Sequence, residues 1–559
     1  MSTRQPSLLY TSSSYNIKDH GGKGDGKTKD TAFIQQTIDA CARAGGGTVY
    51  FPPGIYLTGT ICLKNNVTLW LEAGATILGS ADLKWDYDPI HLIYARKAKN
   101  ISICGQGTIS GNLSAFERLA AEFRQSIPGW TAHGLWPWRP RCSVHFFCCD
   151  NVRVDGVSFV QGGATTLGLI GCTNVDLHHL KIDSWSESCC EDAINILSCR
   201  QVHVTGCSIN SSDDPICIYQ GCPWFDYPLG DGLEDLSDQE LADYPNEGIT
   251  ISDCVLRTRC NGIRVNGSRG GKISNVCFNN IVIDGAAIGI NIKNFYAIGV
   301  PPVGALTWNN PGSTEIENVS FSNMMIRTSG VHSMHPFLIL NEDFIGKKEK
   351  GCGNIRNISF SNCHFCTDIT SSQTLGTGII SGSKDLFVDN IAFSNVELEV
   401  IGRFDEKFKN RIREEVYYPF EGYRGELYPR PADADFENPR DFPYGIYCRY
   451  ARNLRFHDVV MRNRSSVRWK HAARFDHVTN PVLRHLDVFP AEAVDRTVVG
   501  SHDVTEMRLE SGIGQENITP NPSQSWNPPS MYPLVLAENM KSAFEKQYGD
   551  LFARQPEHQ

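Results

Sequence analysis

The stretch NVSFSNMMIRT, Asn318–Thr328, decides the fold. An asparagine opens it, a β-branched residue follows, apolar positions then alternate, and a second short apolar strand completes the unit. Alternation at period two marks a strand with one buried face, and asparagine punctuates the turn. The phrase recurs as NVTLWLEAGATI from Asn66, NISICGQGTISG from Asn100, NVRVDGVSFV from Asn151, NVDLHHLKID from Asn174, QVHVTGCSIN from Gln201 and ITISDCVLRT from Ile249. It continues as ISNVCFNNIVID from Ile273, NISFSNCHFCT from Asn357, LFVDNIAFSNVEL from Leu386 and NLRFHDVVMRN from Asn453. The better-spaced copies return about every 20 to 30 residues, a solenoid period. One unit cannot bury its apolar face alone, so the units must stack around one continuous core. Asparagines stacked at a turn can bond into ladders. Leucine-rich-repeat and propeller signatures are absent. The pattern predicts an all-β chain, a single-stranded right-handed parallel β-helix.

Around this repeat the chain divides as follows. Residues 1–14 read as a tail, 15–490 as the β-helix and 491–559 as a tail packed outside. DTAFIQQTIDACARAGGG places Phe33, Ile34, Ile38 and Cys41 on one helical face, with Asp30 or Thr31 as N-cap and Gly45 as C-cap. Such a helix would close the open end of the stack and shield its strand edges. Insertions at about 114–139, 221–246 and 403–443 interrupt the rhythm, and long loops on a rigid scaffold commonly shape a cleft. Trp130, Trp136, Trp138, Trp224, Phe225 and Tyr227 fall in the first two. They are placed to stack on sugar faces or close a subsite.

The 559 residues carry a net charge of −10 and are 41% hydrophobic. That balance argues against nucleic acid as the main partner, because phosphate binding needs a basic stripe. No apolar run reaches membrane-spanning length, and no signal peptide is seen. A cytoplasmic location is expected, or a secreted one if an export signal has been lost. Of 20 cysteines, Cys62, Cys104, Cys172, Cys207, Cys254 and Cys277 sit in strand-like runs and are expected as reduced, buried hydrophobes. Cys148-Cys149 and Cys189-Cys190 are adjacent pairs, not the spacing that zinc uses.

Two neighbouring turns carry the chemistry. CCEDAINI holds Asp192 and SSDDPICI holds Asp213 and Asp214. One turn of coil separates them, so the three carboxylates can gather on one face. Acetal hydrolysis needs a proton for the leaving oxygen and a base for water. Crowded carboxylates supply both, because repulsion raises one pKa while another group stays ionised. Period-two alternation sends Ile194, Ile196, Ile216, Ile218, Ile263, Val265, Ile290 and Ile292 inward. Asn195, Tyr219, Arg264, Asn291 and Lys293 then face outward along one groove with the carboxylates.

With these residues in view, the sequence resembles glycoside hydrolase family 28, the polygalacturonase family, from about Tyr15 to Pro490. The opening GGKGDGKTKDTAFIQQTIDAC and the following GGGTVYFPPGIYLTGTICLKNNVTLWLEAGATILGS carry the fold-level likeness. The family motifs NTD, DD, GHG and RIK fall on successive turns. Here they read Cys190-Glu191-Asp192, Asp213-Asp214, Cys260-Asn261-Gly262 and Asn291-Ile292-Lys293. The resemblance implies an inverting hydrolase with Asp213 as general acid, Asp192 and Asp214 activating water, and no metal or cofactor. Alternation and the resemblance together place Asn195, Tyr219, Asn261, Arg264, Asn291 and Lys293 around an oligosaccharide or polysaccharide substrate. The loss of the RIK arginine removes a bidentate carboxylate clamp, so the substrate need not be galacturonan. Arg264, one turn earlier, is a candidate replacement, and the aromatic insertions point to exo action on oligosaccharides. Two other readings stay open. One is a β-helix lyase in which Asp192, Asp213 and Asp214 bind calcium and Arg264 is the base. The other is a non-catalytic glycan-binding β-helix.

Overall fold

The computed structural model describes residues 13–89, 91–116, 142–185, 191–220, 244–267, 271–294, 314–330, 335–341, 353–370, 376–382, 384, 386–404, 441–442, 444–489, 498–510 and 518–520. The aromatic insertion residues Trp130 to Trp138 and Trp224 to Tyr227, and the Cys189-Cys190 pair, lie outside them.

The strand pairings that define the coil are parallel and link one turn to the next, as expected of a right-handed parallel coil. Three faces run the length of the stack. One begins with Ser14–Asn16 and Gly47–Phe51 and continues through Val67–Leu71, Lys99–Gly105, Asp150–Asp155, Thr173–His178 and Arg200–Thr205. The second begins with Asp25–Lys29 and Gly54–Thr58 and continues through Ala75–Gly79, Thr108–Ser110, Ser158–Val160, Lys181–Ser184 and Ser208–Ser211. From Asn246 onward these two faces merge into long bent strands such as Asn246–Thr258 and Glu315–Thr328. The third face carries the site: β1 (Asp192–Leu197), β2 (Ile216–Gln220), β3 (Asn261–Gly267) and β4 (Ile288–Lys293).

The corner between faces is made by the predicted asparagines. Asn66, Asn100, Asn151, Asn275, Asn318, Asn357 and Asn390 all have φ between 55° and 61°, the left-handed region that asparagine tolerates better than other non-glycine residues. Their amides bond from turn to turn: Asn100 donates to Asn66 at 2.7 Å and Asn151 to Asn100 at 2.8 Å. A second run joins Asn318 to Asn275, Asn357 to Asn318 and Asn390 to Asn357. Inside the coil Phe278, Phe321, Phe360, Phe393 and Phe456 stack with centroids 4.8, 5.1, 4.9 and 5.1 Å apart. Those steps match the spacing between hydrogen-bonded strands, about 4.8 Å.

Helix α1 (Thr31–Arg43) lies at the start of the coil, as expected, and buries Ile34, Thr37, Ile38 and Cys41. Asp30 is its N-cap residue but makes no side-chain cap bond. Its carboxylate instead accepts from the Lys23 and Gly24 amides at 2.8 and 2.9 Å. Ala44 is the C-cap, and Gly45 follows it with φ 100°. Phe33 is only half-buried, its ring against Gly21, where a Cβ would come within 2.8 Å.

Two expectations need correction. The coil does not stop at residue 490: Val499–His502, Arg508–Glu510 and Ile518–Pro520 pair in register with earlier strands. Cys277 is exposed, and Cys62 and Cys104 are half-buried. Period two fixed their strand but the solvent face was misassigned at Cys277. The insertion after Gln220 leaves the coil at a clasp. Asn246 Nδ2 donates to the Tyr219 carbonyl at 2.6 Å, and Gln220 Nε2 donates to the Tyr244 carbonyl at 3.2 Å.

Phe360 touches four other rings of the stack and is fully buried. Phe360→Ala is expected to cost about 3–5 kcal/mol, the usual penalty for emptying a core phenylalanine site. Chemical denaturation with a lowered midpoint checks this.

Candidate active site

The rungs of the third face set the geometry. Thr165 pairs with Asp192, Asn195 with Cys217, Cys217 with Arg264, and Arg264 with Asn291. One outward column therefore runs Asn195, Cys217, Arg264, Asn291. A parallel column runs Leu197, Tyr219, Asn266, Lys293. The isoleucines and valines between them are core, as alternation requires. These columns face away from the coil's interior, yet Asn195, Tyr219, Asn261, Arg264, Asn291 and Lys293 are all buried. At these residues the groove is closed over. Tyr219 packs with Tyr94, Phe147, Ile170, Leu197 and Cys217 in a separate apolar cluster on this outer wall.

Asp214 is the centre. It is fully buried, and its Oδ1 accepts from the Asn261 amide at 3.0 Å and from Asn261 Nδ2 at 2.8 Å. Its Oδ2 lies 2.9 Å from Arg264 Nη1 and 3.6 Å from Cys217 Sγ. Four donors thus meet the four acceptor directions of one carboxylate. Arg264, expected near substrate, is placed as the counter-charge of this carboxylate. Asn291 Nδ2 donates to Asn261 Oδ1 at 2.8 Å, and Asn261 passes the bond on to Asp214. The two departures from the family motifs therefore form one amide relay.

Asp192 lies on the same rung position one turn earlier, where the Asp214 amide donates to its Oδ1 at 3.2 Å. Asn195 Nδ2 donates to its Oδ2 and to Thr165 Oγ1, both at 3.0 Å. Burial pushes the Asp192 carboxyl well above the ordinary carboxylate range, and the charges of Asp213 and Asp214 push it further. The Asn195 donor and Arg264 pull it partly back. Asp213 is nearly buried, its carbonyl held by Thr258 Oγ1 at 2.6 Å. One oxygen of Asp213 and one of Asp214 come within 4.8 Å, together with Cys260 Sγ, and Asp192 approaches Asp214 as closely.

Sequence reasoning passed over Glu191, a fourth carboxylate buried beside the three. Its side chain accepts from Ser212 Oγ, and its carbonyl accepts from Ser211 Oγ and, at 3.3 Å, from the Asp213 amide. The signal was present, because Glu191 stands inside the NTD position. Asn266 was also passed over, although alternation places it outward beside Arg264.

Among the described residues, three groups of donors come close enough together to hold a metal ion. The carboxylate groups share Asp214, whose oxygens already hold a guanidinium and an amide. His91, Cys142 and His145 also come within 4.8 Å of one another. The two imidazoles stack face to face at 4.2 Å and 6°, so their in-plane lone pairs run parallel instead of converging. Neither arrangement favours a bound ion.

A raised carboxyl pKa has a defined effect on stability. Folded Asp192 keeps its proton where the unfolded chain has ionised, so its contribution falls as pH rises from 3.8 toward the folded value. Asp192→Asn removes that loss. The melting temperature of the variant minus that of the parent is expected to grow between pH 4 and 7, and an unchanged gap contradicts it. Arg264→Leu leaves Asp214 buried without its counter-charge and is expected to cost about 3–5 kcal/mol, read by urea denaturation.

The sequence pattern of the family described as glycosyl hydrolases family 28 matches residues 52–343. The polygalacturonase of Gossypium hirsutum is 24% identical over 391 residues, 65% of this chain and 87% of that protein. An exopolygalacturonase of Arabidopsis thaliana is 25% identical over 337 residues, 55% of this chain and 69% of its own length. The structure of the family 28 exopolygalacturonase of Yersinia enterocolitica covers 90% of this chain and 79% of its own, at 17% identity and a TM-score of 0.58. The family pattern spans more than half of the residues and includes the turns that hold the carboxylates: this chain belongs to glycoside hydrolase family 28.

Proposed function

We propose that the chain is an inverting, exo-acting glycosidase of oligosaccharides, with Asp213 as general acid and Asp192 as the group that takes the proton of water. The observation that carries this reading is the gathering of three carboxylates on two consecutive rungs. Their crowding holds one proton within the set, and when Asp213 carries that proton to the leaving oxygen, Asp192 is ionised and can take water's. Asp214, saturated by Arg264 and Asn261, orients the other two and holds the field. Asn195 aims the Asp192 carboxyl through its bond to Oδ2.

Exo action is supported by the closure of the site. Asp214 and Asn291 are fully buried, and Asp213 and Lys293 are each 8% exposed, which suits a terminal sugar better than the middle of a polymer. A substrate other than galacturonan is supported by the amide relay, since Asn291 lacks the fork that grips a carboxylate. The free cysteines among the described residues suit a reducing, cytoplasmic setting. The family membership and the guanidinium on Asp214 both weigh against a calcium lyase.

Asp213→Asn is expected to lower turnover of the accepted substrate by at least a thousandfold while the melting curve stays close to the parent's. Full activity of that variant removes Asp213 from its role. Following the first product by NMR decides the stereochemistry. Inversion is expected, whereas a retained anomer makes one carboxylate a nucleophile, the arrangement usual when the two carboxyls are about 5–5.5 Å apart.

A further inference from the structure

Asn266 follows Arg264 as the next outward position of β3. Its rung partners are Tyr219 on the preceding turn and Lys293 on the following one. The residue is 2% exposed, and neither its Oδ1 nor its Nδ2 has a hydrogen-bond partner. On the other side of the carboxylates Asn195 shows half of the same condition. Its Nδ2 is used twice, and its buried Oδ1 has no partner. Buried amide groups are almost always bonded, because leaving one without a partner forfeits its hydration. Two such side chains flanking one set of carboxylates mark positions that a ligand completes.

The kind of ligand follows from what the atoms lack. Both orphaned oxygens need an O–H or N–H donor, and Asn266 Nδ2 needs an acceptor. A pair of sugar hydroxyls offers donors and acceptors together. An ionised carboxylate offers acceptors only, so it satisfies Nδ2 and leaves both oxygens bare. A site built to bond a hydroxyl discriminates strongly against a group that cannot return the bond.

We propose that Asn266 is a specificity-determining residue that binds the hydroxyls of a neutral sugar beside Lys293, so that this subsite selects a neutral residue over a uronate. The proposal rests on the glycosidase reading and adds the substrate class to it. Isothermal titration of the full chain carrying Asp213→Asn tests it. The probes are the methyl glycosides of galactose, glucose, xylose and rhamnose, set against those of galacturonate and glucuronate.

The tightest ligand is expected to be neutral, and adding Asn266→Leu is expected to weaken it tenfold or more. The same change is expected to raise the melting temperature, because an apolar group of similar shape removes the orphaned amide. A residue with a purely structural role would lower it. Asn266→Ala provides a second variant with the same expected loss of affinity. The proposal falls if a uronate binds tightest, if no probe binds, or if both variants bind as the parent does, in which case Asn266 holds only water. Release of reducing ends by the unaltered protein is read separately. Turnover with a uronate preference leaves the glycosidase standing and removes the Asn266 assignment, whereas no turnover on any glycan removes the glycosidase.

Discussion

Everything in this molecule depends on the left-handed asparagine corner. An ordinary side chain resists that conformation, and glycine would accept it without offering anything to the next turn. Asparagine accepts it and also brings one donor group and one acceptor. Asn100 can therefore donate to Asn66 while accepting from Asn151. Each corner thus fixes the height and register of the next. Register is the quantity that matters, since a slip of one residue would turn β1 and β2 inside out and put Asn195 and Tyr219 in the core. The phenylalanine stack reinforces the same register from within.

Given that register, the site behaves as one electrostatic unit. Asp214 has no acceptor direction left for solvent or substrate. Its partners come from β2 and β3, and its own amide steadies Asp192 on β1. The substitutions at Asn261 and Asn291 are compatible because they bond each other before they reach Asp214. A single reversion at either place would meet an amide where the family has a ring or a guanidinium. The residues around the carboxylates therefore form a matched set.

Much of this was legible in the sequence, for a physical reason. Period two reports which way a side chain leaves a strand, so the outward positions of Asn195, Arg264 and Asn291 could be read directly. It does not report what lies above them, so their burial could not be. Nor could the Arg264–Asp214 pair, because alternation places both residues on neighbouring turns without saying which side chains meet. The extension of the coil beyond residue 490 escaped notice because Val499–His502 and its successors are too short to show alternation. Cys277 was misread because cysteine serves either face, and Glu191 because an acid inside an otherwise altered motif does not announce itself.

The clasp at Gln220 and Asn246 has a consequence for how such a protein changes over generations. Side-chain amides tie the departing and returning ends of the chain to each other and to the stack. Whatever is inserted between them can lengthen, shorten or be exchanged without disturbing the rungs on either side. The coil acts as a chassis with a standard socket beside its chemistry. Diversification of what the enzyme accepts can then proceed by grafting at that socket, while the machinery that breaks the bond is inherited intact.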